Sequence, residues 1–454
     1  MNVIYLWKSE NWMTDTKKKE YYIGNKGIQL YLDSVEDIQS IHGNFAAIWE
    51  TINEVNLIVD LIGSYPLFYS VCNDDIYVSD DAKIIADRSN NTLKNENVTE
   101  FLRTGYVTEN ETLFTNIYTL NPGTHVRIDK TNGKTVEEKW FELEYTINEA
   151  SRDNYKKKFE ICLNNVFSDL ISRANGRTIL VPLSGGLDSR LIVACLKKLN
   201  YNNVVCFSYG RPGNWESTIS KDIASHLHYQ WIFEEYNADV WTRIIKSNEY
   251  NRFLDWSCRG RSIGCLQALP AILDIRNREL VPEDSIVVPG HTLDVSLGSH
   301  LIDEFLDMNN HQLIEYIVKH HYDLSTIAFD DRSIKKWENR LGAVDPINFY
   351  MEWEYKNRQS KFIANDVRAY EYTGYTFELP FWDIRIQQFA MSLPIDELMG
   401  RKFQLGFTNT VVNPIVGIQN IAIPDNNIYL RHIKRILKRS RLIISFPICR
   451  TIYA

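Results

Sequence analysis

The chain has 454 residues, a length that suggests two or three domains and is sufficient to bury a substantial core. Its 58 Asp and Glu residues outnumber its 50 Lys and Arg residues, for a net charge of -8, so it lacks the basic excess of a dedicated nucleic-acid-binding protein. Hydrophobic residues make up 44% and charged residues 24%, a composition that is typical of a folded protein and argues against intrinsic disorder.

Residues 1–145 show the pattern of a β-rich region. Apolar runs at 45–49 and 55–59 are separated by turn residues, as are the runs on either side of the turns at 43–44 and 121–123. This spacing predicts antiparallel sheets.

Within this region, residues 43–46 (Gly-Asn-Phe-Ala) and 60–69 (Asp-Leu-Ile-Gly-Ser-Tyr-Pro-Leu-Phe-Tyr) resemble the class II glutamine amidotransferase pattern. In that family the second residue is a cysteine whose thiol is the nucleophile and whose α-amino group is the base. Here the second residue is Asn2, and Cys72 is internal, so its nitrogen is an amide that cannot act as that base. The resemblance implies a truncated α+β sandwich of the Ntn type that does not hydrolyse glutamine.

The pattern changes near residue 151 to helix and strand in alternation. The predicted elements are a helix at 155–172, a strand at 178–181, a helix at 191–199, a strand at 203–208 and a helix at 217–227. This order predicts parallel pairing and a doubly wound α/β sheet. We place the domains at 1–147, 148–425 and 426–454.

The loop after the first of these strands, Pro-Leu-Ser-Gly-Gly-Leu-Asp-Ser-Arg at 182–190, has the composition of a pyrophosphate site. Two glycines let the backbone approach a polyanion, two hydroxyls can donate to its oxygens, and the following helix offers free N–H groups. Asp188 would repel phosphate, so its useful role is to hold a Mg²⁺ that bridges the phosphate oxygens. The alternative is a plain strand-to-helix turn in which Asp188 complements the helix dipole.

This loop resembles the Ser-Gly-Gly-Leu-Asp-Ser pyrophosphate loop of the ATP pyrophosphatases, in particular that of asparagine synthetases. The resemblance implies an adenine nucleotide α-hydrolase-like fold with ATP and Mg²⁺ as cofactors. The segment 287–294 is similar to the family's Gly-Glu-Gly-Ser-Asp-Glu turn, which makes Asp294 the second metal ligand beside Asp188. The implied ATP and pyrophosphate contacts are Leu183, Ser184, Gly185, Gly186, Asp188, Ser189, Tyr209 and Gly290.

Three positions depart from the synthetase pattern. His291 stands where asparagine synthetases carry glutamate, Val295 replaces an acidic residue, and Thr376 stands where a late glutamate is expected. Histidine can orient a substrate or accept a proton from an attacking amine, although a lone histidine is also a common hydrogen-bonded structural residue. Glu378 shares a face with Thr376 if the chain is extended there, so it is either a displaced catalytic acid or a surface carboxylate.

The resemblance implies a ligase that activates a carboxylate with ATP as an acyl-adenylate and forms an amide with ammonia or a substrate amine. The catalytic candidates are Lys402, His291 and Glu378. Lys402 corresponds to the family lysine that neutralises the α-phosphate and the leaving pyrophosphate, and its alternative is a solvated surface lysine. The substrate class is a small-molecule or sugar carboxylate, for example in envelope polysaccharide assembly. The rival function is a catalytically degenerate, nucleotide-binding scaffold of the same fold.

The C-terminal stretch at 430–444 has the pattern of a basic amphipathic helix. Such a helix can contact an anionic membrane surface or pack its apolar stripe on the domain. No apolar run reaches the ~20 residues of a membrane-spanning helix, no signal peptide is recognisable, and the seven cysteines form no Cys-x-x-Cys pair. We therefore expect a cytoplasmic protein with reduced thiols and no nucleic-acid partner, and a homodimer is compatible with this picture.

Overall fold

A computed structural model of the protein describes residues 1–24, 38–145, 154–327, 337 and 345–418. The expected boundary at 147, the extension 426–454 and its basic stretch 430–444 lie outside these residues. Within the described part, no helix has the length and hydropathy that a bilayer span requires. The six cysteines described there are unpaired.

The N-terminal part is rich in β-sheet, as its apolar runs predict. Its strands are β1 (Asn2–Leu6), β2 (Met13–Asp15), β3 (Glu20–Gly24), β4 (Phe45–Glu50), β5 (Glu54–Val59), β6 (Phe68–Cys72), β7 (Asp75–Ser79), β8 (Tyr118–Thr119), β9 (Thr124–Asp129) and β10 (Thr135–Lys139). Two helices lie between β7 and β8, namely α1 (Ala82–Ser89) and α2 (Asn95–Thr104).

These strands form two sheets with the orders β1-β7-β6-β8 and β10-β9-β5-β4-β3-β2. The larger sheet is antiparallel throughout, as expected. In the smaller sheet β1 pairs with β7 in parallel, so the expectation of purely antiparallel sheets is wrong for this pair. The reason is that β1 pairs with a strand about 70 residues away in sequence, and local turn signals carry no information on such a pairing.

The C-terminal part is built on a parallel sheet. Its strands are β11 (Ile179–Pro182), β12 (Val204–Gly210), β13 (Gln230–Glu235), β14 (Ile286–Val287) and β15 (Thr376–Phe377). Its α-helices are α3 (Tyr155–Ala174), α4 (Leu187–Lys198), α5 (Trp215–Leu227), α6 (Ala238–Lys246), α7 (Asn248–Cys258), α8 (Leu269–Asn277), α9 (Leu293–Ser296), α10 (Asn310–His321), α11 (Pro346–Trp353), α12 (Arg368–Tyr372), α13 (Ile384–Met391), α14 (Ile395–Leu398), α15 (Lys402–Phe407) and α16 (Asn413–Val416). Segments of π-helix occur at Glu354–Ile363 and Thr408–Val412, and 3-10 turns at Asp303–Leu306, Ala364–Val367, Pro380–Trp382 and Met399–Arg401.

The strand order of this sheet is β13-β12-β11-β14-β15, and every pair in it is parallel. The chain builds the sheet outward from β11 to β13 and then returns to the other side of β11 for β14. The predicted parallel α/β sheet is therefore confirmed. In such sheets the crevice at the point where the order reverses is the usual ligand site, and here that point lies between β11 and β14.

The two parts share one continuous hydrophobic core. The hydroxyl of Tyr145 donates to the carbonyl of Ser296, 2.9 Å away, and the backbone N–H of Leu379 donates to Asn44 Oδ1 at 2.7 Å. Each of these four residues is buried. Because both bonds join the N-terminal part to the segments that follow β14 and β15, the sheet-rich part directly supports the reversal point of the parallel sheet.

Candidate active site

The loop after β11 and the loop after β14 meet at the reversal point. Gly290 lies so close to the start of α4 that a Cβ placed on it would be 2.9 Å from the backbone nitrogen of Ser189 and 3.0 Å from Asp188 Cβ. The first distance is shorter than real Cβ contacts and the second is at their lower limit, so the close approach of the two loops favours glycine at this position. This contact places the Asp188 side of one loop directly against the other.

Two carboxylates come together at this contact. The backbone N–H of Asp294 donates to Asp188 Oδ2 at 3.2 Å, and Ser299 Oγ donates to Asp294 Oδ2 at 2.8 Å. Gln404 Nε2 donates to Asp188 Oδ1 at 2.6 Å. Burial and the negative charge of Asp294 raise the pKa of Asp188 well above its usual range. The predicted pair of metal ligands is thus brought together, although their role as ligands stays a prediction.

The donor set at this point fits Mg²⁺. Two carboxylates that disfavour each other's charge are stabilised by a divalent cation between them, and Mg²⁺ prefers oxygen ligands from one or two carboxylates together with phosphate oxygens. Over the described ranges, no cluster of three or more His, Cys, Asp or Glu side chains could hold a metal by itself. The remaining ligands would therefore be oxygens of a bound polyphosphate and water.

The glycine-rich loop itself is open to an anion. Gly185 has a φ of +75°, and a Cβ there would lie 3.1 Å from Ile219 Cγ2 in α5. Gly186 caps α4 without any side-chain hydrogen bond to the first turn, so the first N–H groups of this helix are free to bind a ligand. The Ser184 side chain is exposed, and its Oγ lies 3.3 Å from Ser189 Oγ.

The residue predicted to contact the adenine base, Tyr209, lies on the neighbouring strand. The backbone N–H of Leu183 donates to the carbonyl of Phe207 at 2.8 Å, which joins the loop to β12. Tyr209 lies near the end of β12, and its ring stacks on Tyr236 with centroids 5.1 Å apart. The Tyr209 ring is therefore already packed against a protein side chain. Its backbone is the group that remains available to an adenine base.

His291 follows Gly290 at the same edge. Its Nε2 lies 3.6 Å from Asp366 Oδ2, and its side chain is 20% exposed. The next residue, Thr292, donates through Oγ1 to Gln359 Oε1 at 2.7 Å. Val295, where the family has an acidic residue, is buried in the core. The structure brings His291 to the site, and its catalytic role stays a prediction.

Glu378 is neither exposed nor free. Its two carboxylate oxygens accept hydrogen bonds from Arg173 Nε at 3.0 Å and Arg173 Nη2 at 2.6 Å, and the residue is 1% exposed. The alternative of a surface carboxylate is therefore wrong, because the end of α3 supplies a guanidinium that compensates the buried charge. Thr376 is exposed where Glu378 is buried, so the two side chains do not share an environment. A catalytic role for Glu378 stays untested, but its side chain already has a protein partner.

Lys402 is exposed at the start of α15, and among the described residues it makes no salt bridge or side-chain hydrogen bond. The same segment instead contributes Gln404 through its hydrogen bond to Asp188, and Arg401 through its positive charge, which partly opposes the rise in the pKa of Asp188. Sequence reasoning missed both residues. Their position within two residues of Lys402 in the sequence is the signal that could have indicated them.

The first residues of the chain lie on the edge strand β1. Asn2 is exposed, and its Nδ2 donates to Asp75 Oδ1 at 3.0 Å. The amino group of Met1 donates to the carbonyl of Lys130 at 2.7 Å. The expectation that this part does not hydrolyse glutamine stays a prediction.

Sequence comparison identifies two family segments. A family model described as a glutamine amidotransferase domain matches residues 29–141. A model described as asparagine synthase matches residues 175–250, which include the glycine-rich loop and β12. A search of curated proteins gave no match.

Solved structures resemble the chain only distantly. The NH3-dependent NAD synthetase from Campylobacter jejuni is 15% identical, with 47% of this chain and 96% of that chain covered and a TM-score of 0.25. The NMN synthetase from Francisella tularensis is 11% identical, with 47% and 98% covered and a TM-score of 0.26. The U34-tRNA thiolase NcsA from Methanococcus maripaludis is 11% identical, with 68% and 88% covered and a TM-score of 0.26.

At these identities and TM-scores the structural likeness carries no argument about function. The family assignment depends instead on the two sequence matches and on their order along the chain, amidotransferase first and synthase second. The two matches support an asparagine synthetase-like protein.

Proposed function

We propose that this protein is an ATP-dependent, amide-forming ligase that activates a carboxylate as an acyl-adenylate. The asparagine synthase match supports an ATP-using amide ligase of that family. The observation that carries the proposal is the contact between the two loops at the reversal point of the sheet, where the N–H of Asp294 reaches Asp188 across Gly290. This contact brings Asp294 to the carboxylate of Asp188 in the glycine-rich loop, the proposed polyphosphate site.

In the first step a carboxylate oxygen of the substrate attacks the α-phosphorus of ATP. The bond between that phosphorus and the bridging oxygen of the β-phosphate breaks, and pyrophosphate leaves with the electron pair. Free N–H groups at the start of α4 and the hydroxyls of Ser184 and Ser189 bind the leaving pyrophosphate. Mg²⁺ held by Asp188 and Asp294 would supply charge neutralisation on the phosphate oxygens.

In the second step ammonia or a substrate amine attacks the acyl carbon, and the bond to the AMP oxygen breaks. The attacking nitrogen must lose a proton for the amide to form. His291 is the proton acceptor in this proposal, with Asp366 beside it to stabilise the imidazolium. Lys402 is exposed at the start of α15. In this proposal its side chain turns inward when ATP binds and then contacts the phosphates.

The nitrogen comes directly from ammonia or an amine in this proposal, because Asn2 offers no thiol for glutamine hydrolysis. The acid is a small-molecule or sugar carboxylate. Both are compatible with the loop geometry, since the loop residues are proposed to bind the nucleotide and not the acyl group.

Carboxylate-dependent exchange of labelled pyrophosphate into ATP tests the first step. We expect exchange with at least one acid of a broad panel, and a loss of about 100-fold or more for Asp294→Ala, since the carboxylate acts on charge that develops in the transition state. Asp284→Ala is the matched control, because this aspartate is exposed in the turn before β14. Exchange that is absent with every acid, in a folded protein, would contradict the proposal.

The second candidate is a nucleotide-binding scaffold without turnover. The observation that favours it is the ion pair between Glu378 and Arg173. Glu378 is the acid suggested to replace the late glutamate, and its carboxylate is already bound by Arg173. A scaffold would bind Mg·ATP without any exchange, and Asp294→Ala would leave its cellular role intact. The same assay therefore separates the two functions.

A further inference from the structure

Arg190 lies directly behind the glycine-rich loop, in the first turn of α4. It is 3% exposed. Its Nη2 donates to the carbonyl of Gly185 at 2.7 Å, and its Nη1 donates to Asn413 Oδ1 at 2.8 Å. Its Nε is buried without a hydrogen-bond partner. Over the described residues, no carboxylate lies within salt-bridge distance of this guanidinium.

We propose that Arg190 is a positioning residue for the polyphosphate, which it serves by fixing the orientation of the peptide between Gly185 and Gly186. The proposal rests on the proposed function, because it takes this loop as the ATP polyphosphate site. Arg190 itself does not contact the nucleotide in this account. It acts through the loop backbone.

The geometry of a peptide unit supplies the first argument. In a trans peptide the C=O and the N–H point in opposite directions. Because Arg190 holds the carbonyl of Gly185 toward the interior, the N–H of Gly186 points away from the interior. There it donates only to Ser184 Oγ, at a long 3.3 Å, and Ser184 is exposed. A phosphate oxygen can replace this weak acceptor.

The flexibility of two consecutive glycines supplies the second argument. A Gly-Gly peptide can rotate at low cost, because neither residue has a Cβ that restricts its backbone. Rotation by half a turn would present the carbonyl oxygen of Gly185 to the phosphate, where like partial charges repel. A charge-assisted hydrogen bond from Arg190 opposes this rotation.

The charge of Arg190 supplies the third argument. Two other buried arginines of the C-terminal part, Arg259 and Arg368, pair with Glu371, whereas the buried Arg261 donates to the carbonyl of Ser360. The Arg190 guanidinium is buried, and no described carboxylate compensates its charge. A polyphosphate on the outer side of the loop provides the missing negative charge.

Asn413 extends the arrangement to the end of the described chain. It begins α16, and its Oδ1 accepts from Arg190 Nη1, so it fixes the second arm of the guanidinium. We expect Asn413→Ala to weaken polyphosphate binding in the same direction as a change at Arg190, but by less, because the bond from Arg190 to Gly185 remains.

The test is calorimetric titration of the full-length protein with three probes: Mg·ATP, Mg·pyrophosphate and adenosine. We expect Arg190→Met to weaken Mg·ATP and Mg·pyrophosphate binding about 10- to 100-fold, the range for loss of a charge-assisted hydrogen bond. Adenosine affinity should stay within about twofold of the wild type, because adenosine has no phosphate. Arg190→Lys retains the positive charge on a single donor nitrogen. Its affinity for Mg·ATP and Mg·pyrophosphate should lie between those of the wild type and of Arg190→Met.

Arg177→Met is the matched control. Arg177 also donates to two backbone carbonyls, those of Ala174 and Arg173, but it lies before β11, at the other end of the strand from the loop. We expect it to bind all three probes like the wild type.

Equal losses for adenosine and pyrophosphate would show that Arg190 only maintains the fold and would overturn the proposal. Mg·ATP binding by Arg190→Met at wild-type affinity would overturn it too. If Arg190→Met does not fold, Arg190→Lys decides, with a loss of about 3- to 10-fold expected and wild-type affinity as the contrary result. If the wild type binds adenosine but no Mg·pyrophosphate, the proposal for Arg190 is overturned, and the exchange assay still decides the adenylating function. If the wild type shows no pyrophosphate exchange, the proposed function alone is contradicted.

Discussion

The two parts of the molecule differ in what they preserve. At the reversal point of the parallel sheet, Asp188, Gly290 and Asp294 make direct contacts between two loops, so the residues proposed to bind ATP and Mg²⁺ are assembled. At the start of β1, the position where the amidotransferase family has its nucleophile is an exposed Asn2 that bonds to Asp75. We propose that the fold of the N-terminal part is retained for the support it gives to the neighbouring site, through the bonds from Tyr145 to Ser296 and from Leu379 to Asn44.

The largest expected effect concerns the ion pair that supports β15. Arg173→Met leaves Glu378 buried without its partner, which we expect to lower the free energy of unfolding by about 3–5 kcal/mol. Chemical denaturation measures this change, and Arg177→Met at the same helix end is the control. Glu378→Gln should retain pyrophosphate exchange if the ion pair is structural. Lost exchange at unchanged stability would instead make Glu378 catalytic.

A smaller effect is expected where the loops touch. Gly290→Ala places a Cβ against the backbone of Ser189, so the loops must separate, at a cost of about 1–3 kcal/mol in unfolding free energy. Mg·ATP affinity should fall at least tenfold, as calorimetry can measure, because Asp188 and Asp294 then move apart. Gly406→Ala is the control, since a Cβ there meets nothing within 4 Å. Unchanged affinity in Gly290→Ala would show that the loop contact is unimportant for the nucleotide.

The N-terminal part provides a prediction on pH. Burial lowers the pKa of His125 from 6.5 to about 4, so the imidazole stays neutral in the folded protein while the unfolded chain binds a proton below pH 6.5. Stability should therefore decrease as the pH falls from 6.5 to 4, by about 2 kcal/mol for this residue. Denaturation of wild type and His125→Gln across this range measures the difference. Parallel pH profiles for the two proteins would refute the assignment.

No measurable effect is expected at Asn2. Asn2→Ala removes one exposed hydrogen bond, so unfolding free energy should change by less than about 0.5 kcal/mol. Glutamate release from glutamine should be at background in both proteins. Glutamine hydrolysis by the wild type that disappears in the variant would show that the N-terminal part is active, and the contrast between the two parts would fail.

The sequence predicted the local features of the fold and of the site. The strand, glycine-rich loop and helix around Asp188 follow from turn residues and apolar periodicity, and the parallel sheet follows from strand and helix alternation. Contacts between distant segments could not be predicted. The pairing of β1 with β7, the partnership of Arg173 with Glu378 and the bond from Gln404 to Asp188 depend on tertiary packing, for which a single sequence contains no local signal.

The central claim is that the loop around Asp188 holds the polyphosphate of ATP together with Mg²⁺. Titration of the protein with Mg·ATP, followed by calorimetry for the wild type and for Asp188→Asn, tests it most directly. The account predicts saturable binding by the wild type and a large loss of affinity in the variant. Absence of binding to the wild type, or equal binding by both proteins, would contradict it.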